Sequence, residues 1–456
     1  MNNAIARNRL TYGLGTVGRD MVYALVSMYL IFYFTDVVKV STGVMWWVAG
    51  IIFVIRIFDT VLDPIMGNIV DNTHTKWGKF KPWIAIGAVF TAVFTLILFT
   101  GLWRHGGVYI AVFAVVYLMW GISFAANDIS YWSMLPSLSI DQKEREKIGA
   151  IARICANIGL FFVVAGIVPL TELLGKRFGS LQNGYFIFAS LVTIVMLSGQ
   201  CVTLFGVKEA GIIVNDNRHT PLRDLFRVIF KNDQLFFIAL AMSLFMVGYV
   251  TTASFGLYFF KYAYGDEHMY PIFALILGVS QITALAIFPL LSSRFTRENL
   301  FTTAVILTVS GYLIFFFAPV NTFVFIGIAS VLLFVGQSFV QLLMLMFLAD
   351  TVDYGHWKLG KRNSSITFSI QPFVNKLAGA ISSGVVAIVI IVSGIKDAGT
   401  AAGVTDGGLL LMKIAMLIFP LICIVASFVI YRNKYRIDSK FYAQILADLR
   451  DRGEIR

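Results

Sequence analysis

The chain is 456 residues long, 58% hydrophobic and only 13% charged, with a mean hydropathy of +0.81. This balance excludes a soluble globular domain, because apolar runs of membrane-spanning length recur from end to end. The formal net charge of +11 does not call for a nucleic-acid partner, since its distribution along the chain assigns it to membrane topology.

Apolar windows predict helices over 11–35, 44–70, 82–101, 108–132, 148–171 and 184–206. A polar segment from Lys208 to Gln234 follows, and then windows over 235–260, 270–291, 300–318, 322–348, 364–395 and 408–431. Pro64, Pro169 and Pro372 fall inside predicted helices and mark expected kinks. The expected fold class is therefore all-α and polytopic, with twelve transmembrane helices in two six-helix bundles. Backbone polar groups in lipid must be satisfied within each helix, which leaves no other solution for such runs. The expected domains are an N-terminal bundle over 1–206, a cytoplasmic linker over 207–234, a C-terminal bundle over 235–431 and a charged cytoplasmic tail over 432–456. Polar residues and glycines interrupt the first window early, so it is not expected to be a cleaved signal. Cys155, Cys201 and Cys423 lie in apolar runs and match no metal or disulfide spacing.

Basic residues set the orientation. Arg7 and Arg9 precede the first helix, Lys76, Lys79 and Lys81 follow the second, and Lys143, Arg145 and Lys147 follow the fourth. The other side is sparse, with Lys39, Arg104 and Lys396 among its few. Both termini and the central segment are thus expected in the cytoplasm. Within that segment Arg223-Asp-Leu-Phe-Arg-Val-Ile-Phe-Lys231 has the pattern of a helix lying at the inner surface. Two halves of six helices suggest a secondary transporter built from related repeats. The loop after the second helix, Gly67-x-x-x-Asp71 with Lys76 and Gly78-Lys79, resembles that of the major facilitator superfamily. Its counterpart in the second half is reduced to Pro289, Arg294 and Arg297.

Charge inside the apolar runs is the most informative feature. Arg19, Asp20, Arg56, Asp59, Asp63, Asp128, Arg153 and Lys376 fall in predicted helices, four of each sign. Charge at that depth is costly and reads as functional. Arg56, Asp59 and Asp63 stand at i, i+3 and i+7, on one helix face. A structural ion pair would explain one arginine and one aspartate; the surplus carboxylate favours a binding role. Asp128 and Trp132 are one turn apart, a pairing suited to sugars, since carboxylates accept from hydroxyls and an indole covers an apolar C–H face. The same pair also fits a tryptophan at the membrane interface with a capping aspartate. Lys376, the single buried charge of the second half, would close a cavity lined by the first, as alternating access requires.

Several long segments in order resemble the glycoside-pentoside-hexuronide:cation symporter family. They are Tyr33-Phe-Thr-Asp36, Arg56 to Gly67, Trp77-Gly-Lys-Phe-Lys-Pro-Trp83, Asp128-Ile-Ser-Tyr-Trp-Ser-Met-Leu-Pro136, Asp141-Gln-Lys-Glu-Arg-Glu146 and Ala349-Asp-Thr-Val-Asp-Tyr-Gly355. The chain resembles that family's melibiose permease, and Asp71-Asn-Thr-His-Thr and Arg145-Glu-Lys with Ala152-Arg-Ile are especially similar to its Gram-positive lactose and raffinose permeases. The resemblance implies substrate-binding roles for Arg19, Asp20, Asp128, Trp132, Arg153 and Lys376, and a cation site at Asp59 and Asp63. Leu62 and Ala125 stand where sodium-using members place oxygen-bearing side chains, and Gln341 where an aromatic platform is expected. The expected activity is import of a galactoside-type glycoside by symport, with the proton as coupling ion in place of sodium and no other cofactor or metal. Expected partners are the sugar, the lipid bilayer and a cytoplasmic regulatory protein, and the expected location is a bacterial cytoplasmic membrane. A carrier of lysolipids or amphipathic compounds is the alternative. An enzyme is not expected, because none of the five histidines falls in a predicted helix and no nucleophile–base or metal cluster is apparent.

Overall fold

The structure, a computed structural model, describes residues 2–100, 107–139, 141–208, 229–266, 269–320, 322–395 and 403–455. Among these residues all the long elements are helices: α1 (Asn2–Phe32), α2 (Thr42–Asp71), α3 (Lys81–Phe99), α4 (Gly107–Leu138), α5 (Gln142–Arg177) and α6 (Leu181–Gly206). Then come α7 (Asp233–Tyr258), α8 (Met269–Arg294), α9 (Arg297–Phe317), α10 (Phe323–Leu359), α11 (Ser364–Val392), α12 (Asp406–Lys434) and α13 (Ser439–Asp451). Ten of them are long and apolar enough to cross a membrane; α1 and α2 complete the set of twelve long helices. Pro64, Pro169 and Pro372 lie within continuous helices. Arg104, Lys396 and most of the surface helix expected over 223–231 lie outside the described residues.

Several helices outrun their apolar windows. α4 continues to Leu138, α5 begins at Gln142 under an Asp141 N-cap, and α10 extends to Leu359. The extension of α10 corrects one expectation: His356 sits in a helix, buried. The tail is also more than a charged strand of chain. α13 packs Tyr442, Ile445 and Leu449 inward, the Tyr442 hydroxyl donates to Asp353 at 2.6 Å, and the Trp357 indole donates to Asp448 at 2.8 Å.

The chain divides into two compact units, one of Met1–Arg227 with Lys361–Ser369 and Arg452–Arg456, the other of Val228–Gly360 with Ile370–Asp451. Within the first, α1 packs on α5 and α6, α3 on α4, and α2 on α4. Within the second, α7 packs on α12, α9 on α10 and α8 on α10. Three pairings thus recur with an offset of six helices, so the repeat faint in the loops is plain in the packing. The equivalent pairs α3·α4 and α9·α10 each close on a glycine. A Cβ at Gly87 would lie 2.7 Å from the Asn127 backbone nitrogen, and one at Gly311 2.7 Å from that of Leu333. Small residues let apolar helices approach closely where no hydrophobic force drives them together.

The loop motif after α2 has a specific task in the first unit. The Asp71 carboxylate takes Lys79 Nζ at 3.1 Å and the backbone N–H of Ile366 at 2.9 Å, capping the first turn of α11. Gly67 leaves room for the Ser365 carbonyl beside it.

Candidate functional site

Inside the first unit α1, α4 and α5 bring five of the sequence-predicted residues together. Arg19 is 2% exposed. Its Nη2 donates to Asp20 Oδ2 at 2.8 Å, and its Nη1 lies 3.2 Å from Asp128 Oδ1. A guanidinium buried in an apolar bundle is tolerated only with such partners, since desolvation costs several kcal/mol per ion. The guanidinium also lies over the Tyr131 ring at 4.8 Å and the Trp132 ring at 5.1 Å, while Arg153 lies over Trp132 at 4.6 Å. Two cations and two carboxylates leave the cluster neutral. The carboxylates remain partly open, with side chains 24% exposed for Asp20 and 19% for Asp128. They can therefore accept hydrogen bonds from an uncharged, hydroxyl-bearing ligand without importing a net charge.

Neighbouring hydrogen bonds hold this geometry. The Tyr12 hydroxyl donates to the Tyr131 carbonyl at 2.9 Å, and the Tyr131 hydroxyl donates back to the Tyr12 carbonyl, pinning α1 to α4. Thr16 donates to the Ala152 carbonyl at 2.8 Å, pinning α1 to α5. Trp132, the stacking residue implied by the resemblance, is enclosed by the cluster. The residue is 3% exposed and both guanidinium groups lie against its ring, so a sugar face would have to displace Arg153 to reach it.

The expected cation-site carboxylates lie on α2, with Asp63 fully buried and Asp59 8% exposed. Asp59 turns toward α4, where a Cβ at Gly121 would stand 2.7 and 2.9 Å from its two oxygens. Arg56, on the same face, donates to the Ser27 carbonyl at 3.3 Å and to the Tyr117 hydroxyl. Lys376 belongs to the second unit, half-buried on α11. No group of three or more His, Cys, Asp or Glu side chains suited to a metal occurs among the described residues.

Two residues beside this cluster carry no charge and do not stand out in the sequence. Tyr23 of α1 stacks on Phe124 of α4, with centroids 5.1 Å apart and planes at 28°. The signal was present in the spacing, because Tyr23 is Asp20 plus three and Phe124 is Asp128 minus four, each on the face of its carboxylate.

Two units with recurring helix pairings, and a charge-neutral polar cluster inside an apolar bundle, define a membrane carrier of the major facilitator type. The chain belongs to the MFS/sugar transport protein family, whose model matches residues 11–439. It is 32% identical over 455 residues to a raffinose carrier protein of Pediococcus pentosaceus, covering 97% of this chain and 71% of that one. It is 31% identical over 464 residues to a lactose permease of Lactobacillus helveticus, covering 98% and 72%. Among solved structures, the fucose:proton symporter of E. coli has the same fold, with a TM-score of 0.66 at 13% identity over 95% of this chain and 98% of that one.

Proposed function

We propose that the protein imports a galactoside-type glycoside across the cytoplasmic membrane of a bacterium by symport with a proton, with both termini in the cytoplasm. The observation that carries this reading is Arg19 held between Asp20 and Asp128, with Arg153 and Trp132 beside it. A neutral set of strong donors and acceptors within membrane-spanning helices suits a solute rich in hydroxyls. It is poorly suited to an apolar one. The raffinose and lactose carriers among the relatives support the same substrate class.

The chemistry around α2 supports the proton as the coupling ion. A sodium ion needs several oxygen ligands, whereas Leu62 and Ala125 stand where the family resemblance places two oxygen-bearing side chains of sodium-using members. Two carboxylates one helical turn apart can share a single proton. The driving force suffices. One coupled charge gains about 2.3 kcal/mol per 100 mV and one pH unit adds about 1.4 kcal/mol, together an accumulation on the order of 500-fold. The test is uptake of labelled melibiose and lactose by membrane vesicles under an imposed potential and pH gradient. Accumulation of either sugar above the outside concentration, abolished by a protonophore, is expected; absence of uptake for both overturns the reading.

A further inference from the structure

Behind the Arg19 cluster, α1, α5 and α6 enclose a groove of about 370 Å³ whose lining is wholly apolar. Val17 and Met21 reach it from α1, whereas Arg19, between them in sequence, leaves the helix toward the cluster. The floor is buried and consists of Met21, Gly159, Phe188 and Val192. Gly159 sets its depth, because a Cβ there would press into the Val17 carbonyl and hold α1 and α5 apart. Phe162, Leu173 and Leu191 stand exposed along the walls. From Ile158 to Leu174 the groove follows α5 for about 24 Å at 1.5 Å per residue. That is long enough to cross the hydrocarbon of one leaflet, half of a core about 30 Å thick.

One end of the groove is cationic. The last turn of α5 carries Lys176 and Arg177, both exposed. Arg177 stands three, four and seven residues after Leu174, Leu173 and Leu170 of the groove wall, so it leaves the same helix face one turn beyond the apolar lining. A helix C-terminus favours cations anywhere around its last turn, which does not select this face. Glu172 is the sole acid in the last two turns of α5 and the first turn of α6 has none, so the end is net positive. The Arg9–Glu144 bridge ties the starts of α1 and α5 together. Lys176 and Arg177, at the other end of α5, therefore lie on the side opposite the N-terminus, where basic residues are sparse and the orientation rule does not account for an adjacent pair.

We propose that this groove binds one anionic diacyl phospholipid of the leaflet opposite the N-terminus, with an acyl chain along α5 and the phosphate on Arg177 and Lys176. A guanidinium meets a phosphodiester through paired N–H donors, and the lysine adds a point charge. Apolar contact alone selects nothing here, since every lipid tail in the bilayer offers it. The headgroup decides. A zwitterionic lipid places an ammonium beside its phosphate and gains less from two cations. The bound chain lies across three helices of the first unit and braces α1 from outside the Arg19 cluster, whatever solute that cluster holds.

The experiment titrates dioleoyl phosphatidylglycerol and dioleoyl phosphatidylcholine into the purified full-length protein in detergent and counts bound lipid by native mass spectrometry. The wild type should hold one phosphatidylglycerol at least about tenfold more tightly than phosphatidylcholine. Lys176→Gln combined with Arg177→Gln should erase that preference and leave phosphatidylcholine within about twofold. Lys39→Gln, which removes another exposed cation of the same unit, should keep it. Leu191→Trp, which fills the groove from an exposed position, should weaken both lipids at least about fivefold. Equal affinity of the two lipids in the wild type reveals an unselective lipid coat and overturns the site, as does a preference that survives in the double variant. A dimer of the wild type that Leu191→Trp dissociates assigns the groove to a second copy of the chain and likewise overturns it.

Discussion

Replacing Asp128 by asparagine tests the central cluster. The substitution leaves Arg19 its bonds to Asp20 at 2.8 and 3.2 Å, so the fold keeps its main counter-ion. It removes the partner of Arg19 Nη1 and turns a neutral set of two cations and two anions into one of net charge +1. An asparagine side chain has one acceptor oxygen where the carboxylate has two. Hydrogen bonds to a charged group are worth about 1.5–3 kcal/mol and neutral ones about 1 kcal/mol. Losing one and weakening another costs about 2–4 kcal/mol of sugar binding. Asp128 is 19% exposed, and solvent screening takes the charge term toward the lower end. At about 1.4 kcal/mol per decade, affinity should fall about 30- to 100-fold. Isothermal titration of the purified protein with melibiose or lactose would measure it. Asp141→Asn serves as control, because Asp141 caps α5 outside the cluster. Unchanged affinity in Asp128→Asn would refute the reasoning.

Three further outcomes are expected. Asp59→Asn and Asp63→Asn should each abolish uphill accumulation while sugar binding stays within about threefold, a change of about 0.7 kcal/mol; full accumulation in both variants places the cation site elsewhere. Exchanging sodium for choline at fixed pH should leave uptake unchanged, and a collapse of transport with no response to a pH gradient would identify sodium as the coupling ion. Gly87→Val should destabilise the first unit by at least about 2 kcal/mol, because its Cβ meets the Asn127 backbone nitrogen at 2.7 Å and the Ser123 carbonyl at 2.8 Å; a thermal midpoint within a degree of wild type would show that α3 and α4 separate easily.

The twelve long helices were legible because lipid imposes one rule on the backbone. Every buried N–H and C=O must be paired within its own helix, so apolar length alone reveals the spans. The ends were not legible for the same reason. Hydropathy reports where the membrane stops, and the helices go on: α4 to Leu138, α5 from Gln142, α10 far enough to enclose His356. The α13 helix follows suit, held by Asp353, Trp357 and its own apolar stripe with no lipid to mark it.

The cluster shows the same division more sharply. That Arg19, Asp20, Asp128 and Arg153 must find partners follows from the cost of burying charge, and spacing along each helix puts Tyr23 and Phe124 on the faces of their carboxylates. Only the packing of α1 against α4 and α5 decided that one guanidinium takes both carboxylates while the other lies on Trp132. It also decided that Trp132 is covered and Tyr23 exposed. Partner choice across more than a hundred residues of chain depends on the register of two helices, and register is set by glycines, reciprocal tyrosine bonds and side-chain volume, none of which a local pattern contains.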